Sequence, residues 1–155
     1  MFDVLAFVYQ NYAAGDFCPE VHSLQRKLSA VGFDSDEIRD AVRWISGLSC
    51  AKDAAQHQQA LRPPHPWSLR VYLPSEYRKL GSRSIGFLSF LESCGVLSTA
   101  MREVIVDRSM AAPGSPVSLD DFKLIVLMVF WSFNQVPDAL LLDELCDNAE
   151  ERLAH

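Results

Sequence analysis

The sequence has no CxxC pair, no glycine-rich phosphate loop and no nucleophile-elbow motif around any serine, and each absence argues against a class of chemistry. Its four cysteines, Cys18, Cys50, Cys94 and Cys146, stand singly. Of its four histidines, His22, His57, His65 and His155, only His22 lies within four residues of a cysteine, Cys18, and no second such pair accompanies it. A zinc site draws ligands in pairs roughly two to four residues apart, so neither a metal nor a cofactor is expected. Unpaired thiols read as small apolar residues packed in a reducing compartment, and the expected location is the cytoplasm. The longest apolar run, Leu124 to Trp131 extended past Ser132 by Phe133, is about half of the roughly twenty residues a membrane helix needs. The opening Met1-Phe2-Asp3-Val4-Leu5 has no basic stretch and no cleavage-like site, so no signal peptide is expected.

Positive charge is also scarce. The chain carries 14 Lys and Arg against 20 Asp and Glu, a net charge of −6. The imbalance is local: residues 113–155 hold eight acids against Lys123 and Arg152, whereas residues 63–112 hold six bases against four acids. Nucleic-acid affinity grows with the number of phosphates neutralised, so this balance disfavours tight, unaided binding.

What is present is helical periodicity. Apolar residues at Phe2, Leu5, Ala6, Tyr9 and Ala13 form one stripe, widened by Val4, Phe7, Val8 and Tyr12, up to a stop at Gly15. A second helix is expected from about Pro19 to Val31, ended by Gly32 in a left-handed position with Phe33 folding back. A third, Asp34 to Leu48, opens on Asp34 or Ser35 with Glu37 placed as in a capping box. Residues 49–67, with Gln56-His57-Gln58-Gln59 and three prolines, read as a loop separating two halves of one domain spanning 1–155. Residues 69–73 alternate, as in a short strand or extended segment. Then come a short helix from Pro74 broken at Gly81, a helix from Ile85 to Cys94, and another from Ser98 or Thr99 to Met110. A loop follows at 112–116, then an apolar helix Leu119–Phe133 capped by Ser118, and an acidic helix from Pro137. The expected fold is all-α: six to eight helices, built from αα-hairpins around the apolar Leu119–Phe133 helix. Leu28-Gly32-Phe33-Ile38-Val42 and Leu91-Gly95-Val96-Met101-Ile105 lie at a constant offset. That is either a weak internal repeat or the common mark of a glycine-capped hairpin.

Taken in order, several blocks resemble the Smg family of bacterial proteins. They are Met1–Leu5; Gly32-Phe33-Asp34 with Glu37-Ile38 and Ala41–Ile45; Arg70-Val71-Tyr72 with Glu76; Gly86-Phe87-Leu88 with Phe90-Leu91-Glu92, Val96-Leu97 and Arg102–Ile105; and Asp120–Lys123 with Val126–Val129. Leu73 departs from the family pattern, which tends to have a helix-capping threonine there. The resemblance implies no catalytic residues. Its members are of uncharacterised function and are often encoded near a DNA-processing protein linked to natural transformation.

Three sets of residues are candidates for contact. Arg70, Arg78, Lys79, Arg83, Arg102 and Arg108 could form a basic patch, with Tyr72 and Tyr77 as stacking platforms; the plainer reading is a solvated surface. Glu103 could be a partner-binding carboxylate, or could simply pair with Arg102, as Asp107 could with Arg108. Asp143, Glu144 and Asp147 on the last helix could dock a basic partner, and Trp44, Trp67 and Trp131 are good anchor types where exposed. Asp120-Asp121 is explained by the positive end of its helix. The expected function is therefore non-catalytic: an interaction or regulatory protein acting on another cytosolic protein. A nucleic-acid-binding accessory factor linked to DNA processing is the alternative, and a small-molecule enzyme ranks third.

Overall fold

In a computed structural model, residues 1–13, 15, 21–61 and 70–137 are described. They form six helices and no strand: α1 (Phe2–Tyr12), α2 (Val21–Val31), α3 (Ser35–Leu61), α4 (Pro74–Ser93), α5 (Thr99–Met110) and α6 (Leu119–Ser132). The start of the second expected helix and the acidic segment after Pro137 lie outside the described residues.

The centre of the molecule is α6, packed by α1, α3, α4 and α5. Every residue from Phe122 to Phe130 on it is buried. Its length of apolar sequence leaves no face for water, so neighbours must cover it on all sides. Ser118 caps it, accepting the Asp121 amide hydrogen bond at 3.1 Å while its hydroxyl donates to the Asp121 carboxylate at 2.6 Å. The other end is held from α3, where Lys52 Nζ donates to the Ser132 carbonyl at 2.6 Å and lies over the Phe133 ring. A cation there answers the partial negative charge of a helix C-terminus.

Two hairpins, α2–α3 and α4–α5, end their first helices in the same way. Gly32 (φ 104°) and Gly95 (φ 70°) take left-handed conformations. The next residues, Phe33 and Val96, donate back to the Leu28 and Leu91 carbonyls at 3.3 and 3.2 Å. This is the Schellman closure, in which the residue after the glycine reaches over the last turn. The hairpins meet along α3 and α5.

Three local expectations differ from the structure. Residues 49–61 are helix, not loop: α3 runs 27 residues to Leu61. Ala, Gln and Lys are good helix formers, and no proline intervenes before Pro63, so intrinsic propensity carries the helix past the end of its apolar stripe. Residues 62–67 lie outside the described residues. Glu37 does not close a capping box. Asp34 caps α3 through the Asp36 amide, and Glu37 instead accepts from the Met1 amine at 3.1 Å. Cys50 and Cys94 are exposed thiols, not core packing.

Gly81 divides α4 as expected: its φ of 74° and ψ of 163° kink a helix that otherwise continues. The kink frees the Lys79 carbonyl to accept from the Val117 amide at 2.8 Å. It thereby ties α4 to the loop that leads into α6. Residues 70–73 are extended but pair with no strand.

Candidate functional site

The extended segment Arg70-Val71-Tyr72-Leu73 alternates inward and outward. Arg70 and Tyr72 turn to the body of the protein, whereas Val71 and Leu73 are 84% and 61% exposed. An extended chain sends successive side chains to opposite sides, so the inward pair fixes where the outward pair points.

Arg70 is the anchor. Its two terminal nitrogens donate to the two oxygens of Glu76 at 2.8 Å each, a fork-to-fork pairing. Its Nε and Nη2 also reach Glu103 on α5 at 3.0–3.2 Å. Glu76 stands in the first turn of α4 and accepts the Leu73 amide at 2.8 Å. That bond, with Pro74 needing no donor partner at the first helical position, starts α4 without a capping side chain at Leu73. Arg102 extends the cluster: it donates to Glu103 at 2.8–2.9 Å and to Glu92 at 2.7 Å. Beneath Arg70 lies the Tyr72 ring, 4.4 Å from the guanidinium carbon. The Tyr72 hydroxyl is buried and makes no hydrogen bond among the described residues.

The electrostatics follow from this packing. Hydrogen bonds from Arg70 hold the Glu76 carboxyl below its ordinary range, against the opposing effect of burial. Glu76, joined by Glu103, raises Arg70 still further above its already high value. Burial pushes the Tyr72 phenol up. General acid–base chemistry needs a group that titrates near working pH, and these shifts move Glu76, Arg70 and Tyr72 away from neutrality. The cluster is a clamp of three carboxylates and two guanidiniums that fastens 70–73 to α4 and α5.

A second junction joins α3 and α5. Trp44 Nε1 donates to the Arg108 carbonyl at 3.0 Å, and Arg108 Nη1 returns a bond to the Trp44 carbonyl at 3.4 Å. Beside it opens a cleft of about 460 Å³, lined among others by Met1, Asp40, Arg43, Trp44, Gly47 and Arg108. Its charges are answered locally: Arg108 by Asp107 at 2.6 Å and Arg43 by Asp40 at 3.7 Å.

The six cations of the expected basic patch therefore have separate roles. Arg70 and Arg102 share Glu103. Arg108 belongs to the Trp44 junction. Lys79 Nζ is bound to the carbonyls of Ala112 and Gly114. Only Arg78 and Arg83 of the six are exposed without an ion pair among the described residues. Tyr72 is not a stacking platform, since its ring is under Arg70, whereas Tyr77 is half exposed. Trp44 is core rather than an exposed anchor, and its indole N–H is satisfied. Trp67, Asp143, Glu144 and Asp147 lie outside the described residues. Two members of the clamp, Glu76 and Glu92, were not candidates from sequence. The signal available for Glu76 was its place three residues after Leu73, the spacing of a capping box.

Among the described residues, no group of three or more His, Cys, Asp or Glu could hold a metal ion. No helix among them is long and apolar enough to cross a membrane.

The whole chain, residues 1–155, matches the family model described as "Protein of unknown function (DUF494)". The chain belongs to this family. It is 56% identical over 155 residues to a "Protein Smg homolog" of Leptothrix cholodnii, and 52% identical over 155 residues to one of Methylibium petroleiphilum, each alignment covering all of both chains. A "Protein Smg homolog" of Aromatoleum aromaticum is 45% identical over 154 residues, covering 99% of this chain and 97% of the relative. No solved structure matches. The resemblance to Smg proteins read from the sequence blocks is thus membership, and the family name carries no activity with it.

Proposed function

We propose that this DUF494 protein is a non-catalytic cytoplasmic interaction protein that regulates or couples another protein through the ridge formed by Val71, Leu73 and Tyr77. One observation carries the reading. A segment pinned by a half-buried Arg–Glu clamp presents its apolar side chains to solvent. Apolar groups on a floppy loop would be unremarkable, since single exposed hydrophobes are common. Here the backbone beneath them is fixed before any partner arrives, which lowers the entropy cost of binding.

Two features weigh against the alternatives. Four of the six cations that might have met a phosphate backbone are occupied by carboxylates or carbonyls. The clamp's shifted groups suit holding rather than proton transfer.

Site-specific photo-crosslinking tests the reading. A benzoylphenylalanine at position 77 of the full chain, expressed in its native host, is expected to give one discrete protein adduct that Leu73→Asp abolishes. The same probe at the exposed position Gln58 serves as control. Adducts at 77 as scattered as those at 58, or untouched by Leu73→Asp, would overturn it.

A further inference from the structure

The ridge sits beside a stretch of this acidic chain where, among the described residues, positive charge is unanswered. From Arg70 to Leu91 the only acid is Glu76, and both its oxygens are taken by Arg70. Arg78 follows Tyr77 directly on α4, and Arg83 lies just beyond the Gly81 kink. Both are exposed and form no ion pair among the described residues. Residues 71–83 therefore expose aliphatic side chains, half a tyrosine ring and two guanidiniums without an ion pair among the described residues, on a molecule whose net charge is −6.

We infer that the occupant of this ridge is an acidic protein segment carrying apolar side chains. The inference rests on the docking reading above and adds the partner's chemistry. Val71 and Leu73 gain nothing from water and want an apolar face opposite them. Arg78 and Arg83, exposed on the helix that follows, want carboxylates, which steer the encounter and fix the register more than they add raw affinity. A nucleic acid meets the second need but not the first. Two cations give a shallow counterion-release slope, about −0.9 per phosphate contact on duplex DNA, and Val71 and Leu73 leave only the half-exposed Tyr77 ring for a base to stack on. A second copy of this chain, itself strongly acidic, is repelled at long range.

Leu73 is a favourable place to test this without unfolding the protein. It is the cap residue of α4, with no capping bond from its own side chain, and Asp is among the best residues for that position. A phage-displayed library of random short peptides, panned on the full-length chain, supplies the probes. Enriched peptides are then synthesised with a fluorophore and titrated by anisotropy. The expected winners combine Asp or Glu with Leu, Phe or Trp. Leu73→Asp should abolish their binding, and Arg78→Glu/Arg83→Glu should weaken it at least about tenfold while removing its salt dependence. Circular dichroism of each variant controls for folding.

Enrichment of basic or uncharged peptides that Leu73→Asp still abolishes would overturn the acidic assignment and leave the docking reading standing. Peptides indifferent to Leu73→Asp, with no discrete crosslink at position 77, would sink both. A fluorescent single-stranded oligonucleotide whose binding is lost in the double Arg variant but kept in Leu73→Asp would give the surface to nucleic acid. A concentration-dependent dimer in sedimentation, dissolved by Leu73→Asp, would give it to a second copy.

Discussion

Trp44 and Arg108 exchange hydrogen bonds across the junction of α3 and α5, each donating from its side chain to the other's backbone carbonyl. The exchange depends on Gly47, one turn along α3. A Cβ built there would lie 2.0 Å from Arg108 Nη1 and 3.0 Å from its Cζ. Gly47→Ala must therefore push the guanidinium aside and forfeit the bond to Trp44, although alanine favours a helix over glycine by about 1 kcal/mol. On an Arg108→Ala background the clash is gone, and Gly47→Ala should stabilise by about that 1 kcal/mol. In the native chain the gain should be smaller or reversed. A double-mutant cycle by urea denaturation reads the coupling, and strict additivity would show that the two residues do not meet.

Glu76 and Glu103 both hold Arg70, but only Glu76 is buried. Removing one partner of a buried pair costs about 3 kcal/mol, whereas an exposed one costs under about 1 kcal/mol. Glu76→Gln should therefore lower stability far more than Glu103→Gln in chemical denaturation. Equal costs would mean that the clamp is no more than a surface network.

The same residue sets an acid limit. Because Arg70 lowers the carboxyl of Glu76 in the fold, its contribution is fully present above the ordinary value of about 4.3 and is lost as pH falls through the lower folded value. The stability gap between the native chain and Glu76→Gln should be constant from neutral pH to about 5 and close below about 4. Urea midpoints measured across that range provide the check; a gap that widened in acid would contradict the sign.

Tyr72 predicts a gain on deletion. Its hydroxyl is buried without a partner among the described residues, a cost of about 1 kcal/mol or more that Tyr72→Phe removes. At high pH the difference should grow. Burial raises the phenol in the fold, so above about pH 10 the unfolded chain ionises first and the native protein loses stability that the Phe variant keeps. Thermal melts at neutral and alkaline pH give both numbers.

Gly81 and Gly86, five residues apart on α4, should respond oppositely to alanine. Gly81 has a φ of 74° that a side chain resists, at a cost of about 1–3 kcal/mol. Gly86 has open space around it and no such φ, so Gly86→Ala should stabilise by about 1 kcal/mol. Stability curves for the two single variants decide this.

Local signals in the sequence were legible, and long-range ones were not. Gly32-Phe33 and Gly95-Val96 announced both hairpins because a Schellman closure is written within six consecutive residues. The unbroken apolar run of α6 announced its central burial. The extension of α3 to Leu61 was hidden by its composition. Beyond Leu48 the helix is mostly exposed, so it has no stripe, and only the helix-forming tendency of Ala, Gln and Lys marks it. Within the site, Arg102–Glu103 could be seen as a local pair. Arg70–Glu103 joins residues 33 apart and required the α4–α5 hairpin to be known first. The exposure of Leu73 and Val71 was equally hidden, since alternation names two faces but not which one is outside.

The enclosure of α6 has a consequence for how the protein is made. The helix that every neighbour leans on is the last of the six to leave the ribosome. Until Leu119–Ser132 emerges, α3 can already meet α5, but the apolar faces that α1, α3, α4 and α5 turn towards α6 lack the helix they close around. Completion of this core thus waits on α6, and a chain stalled before residue 119 lacks the helix at its centre.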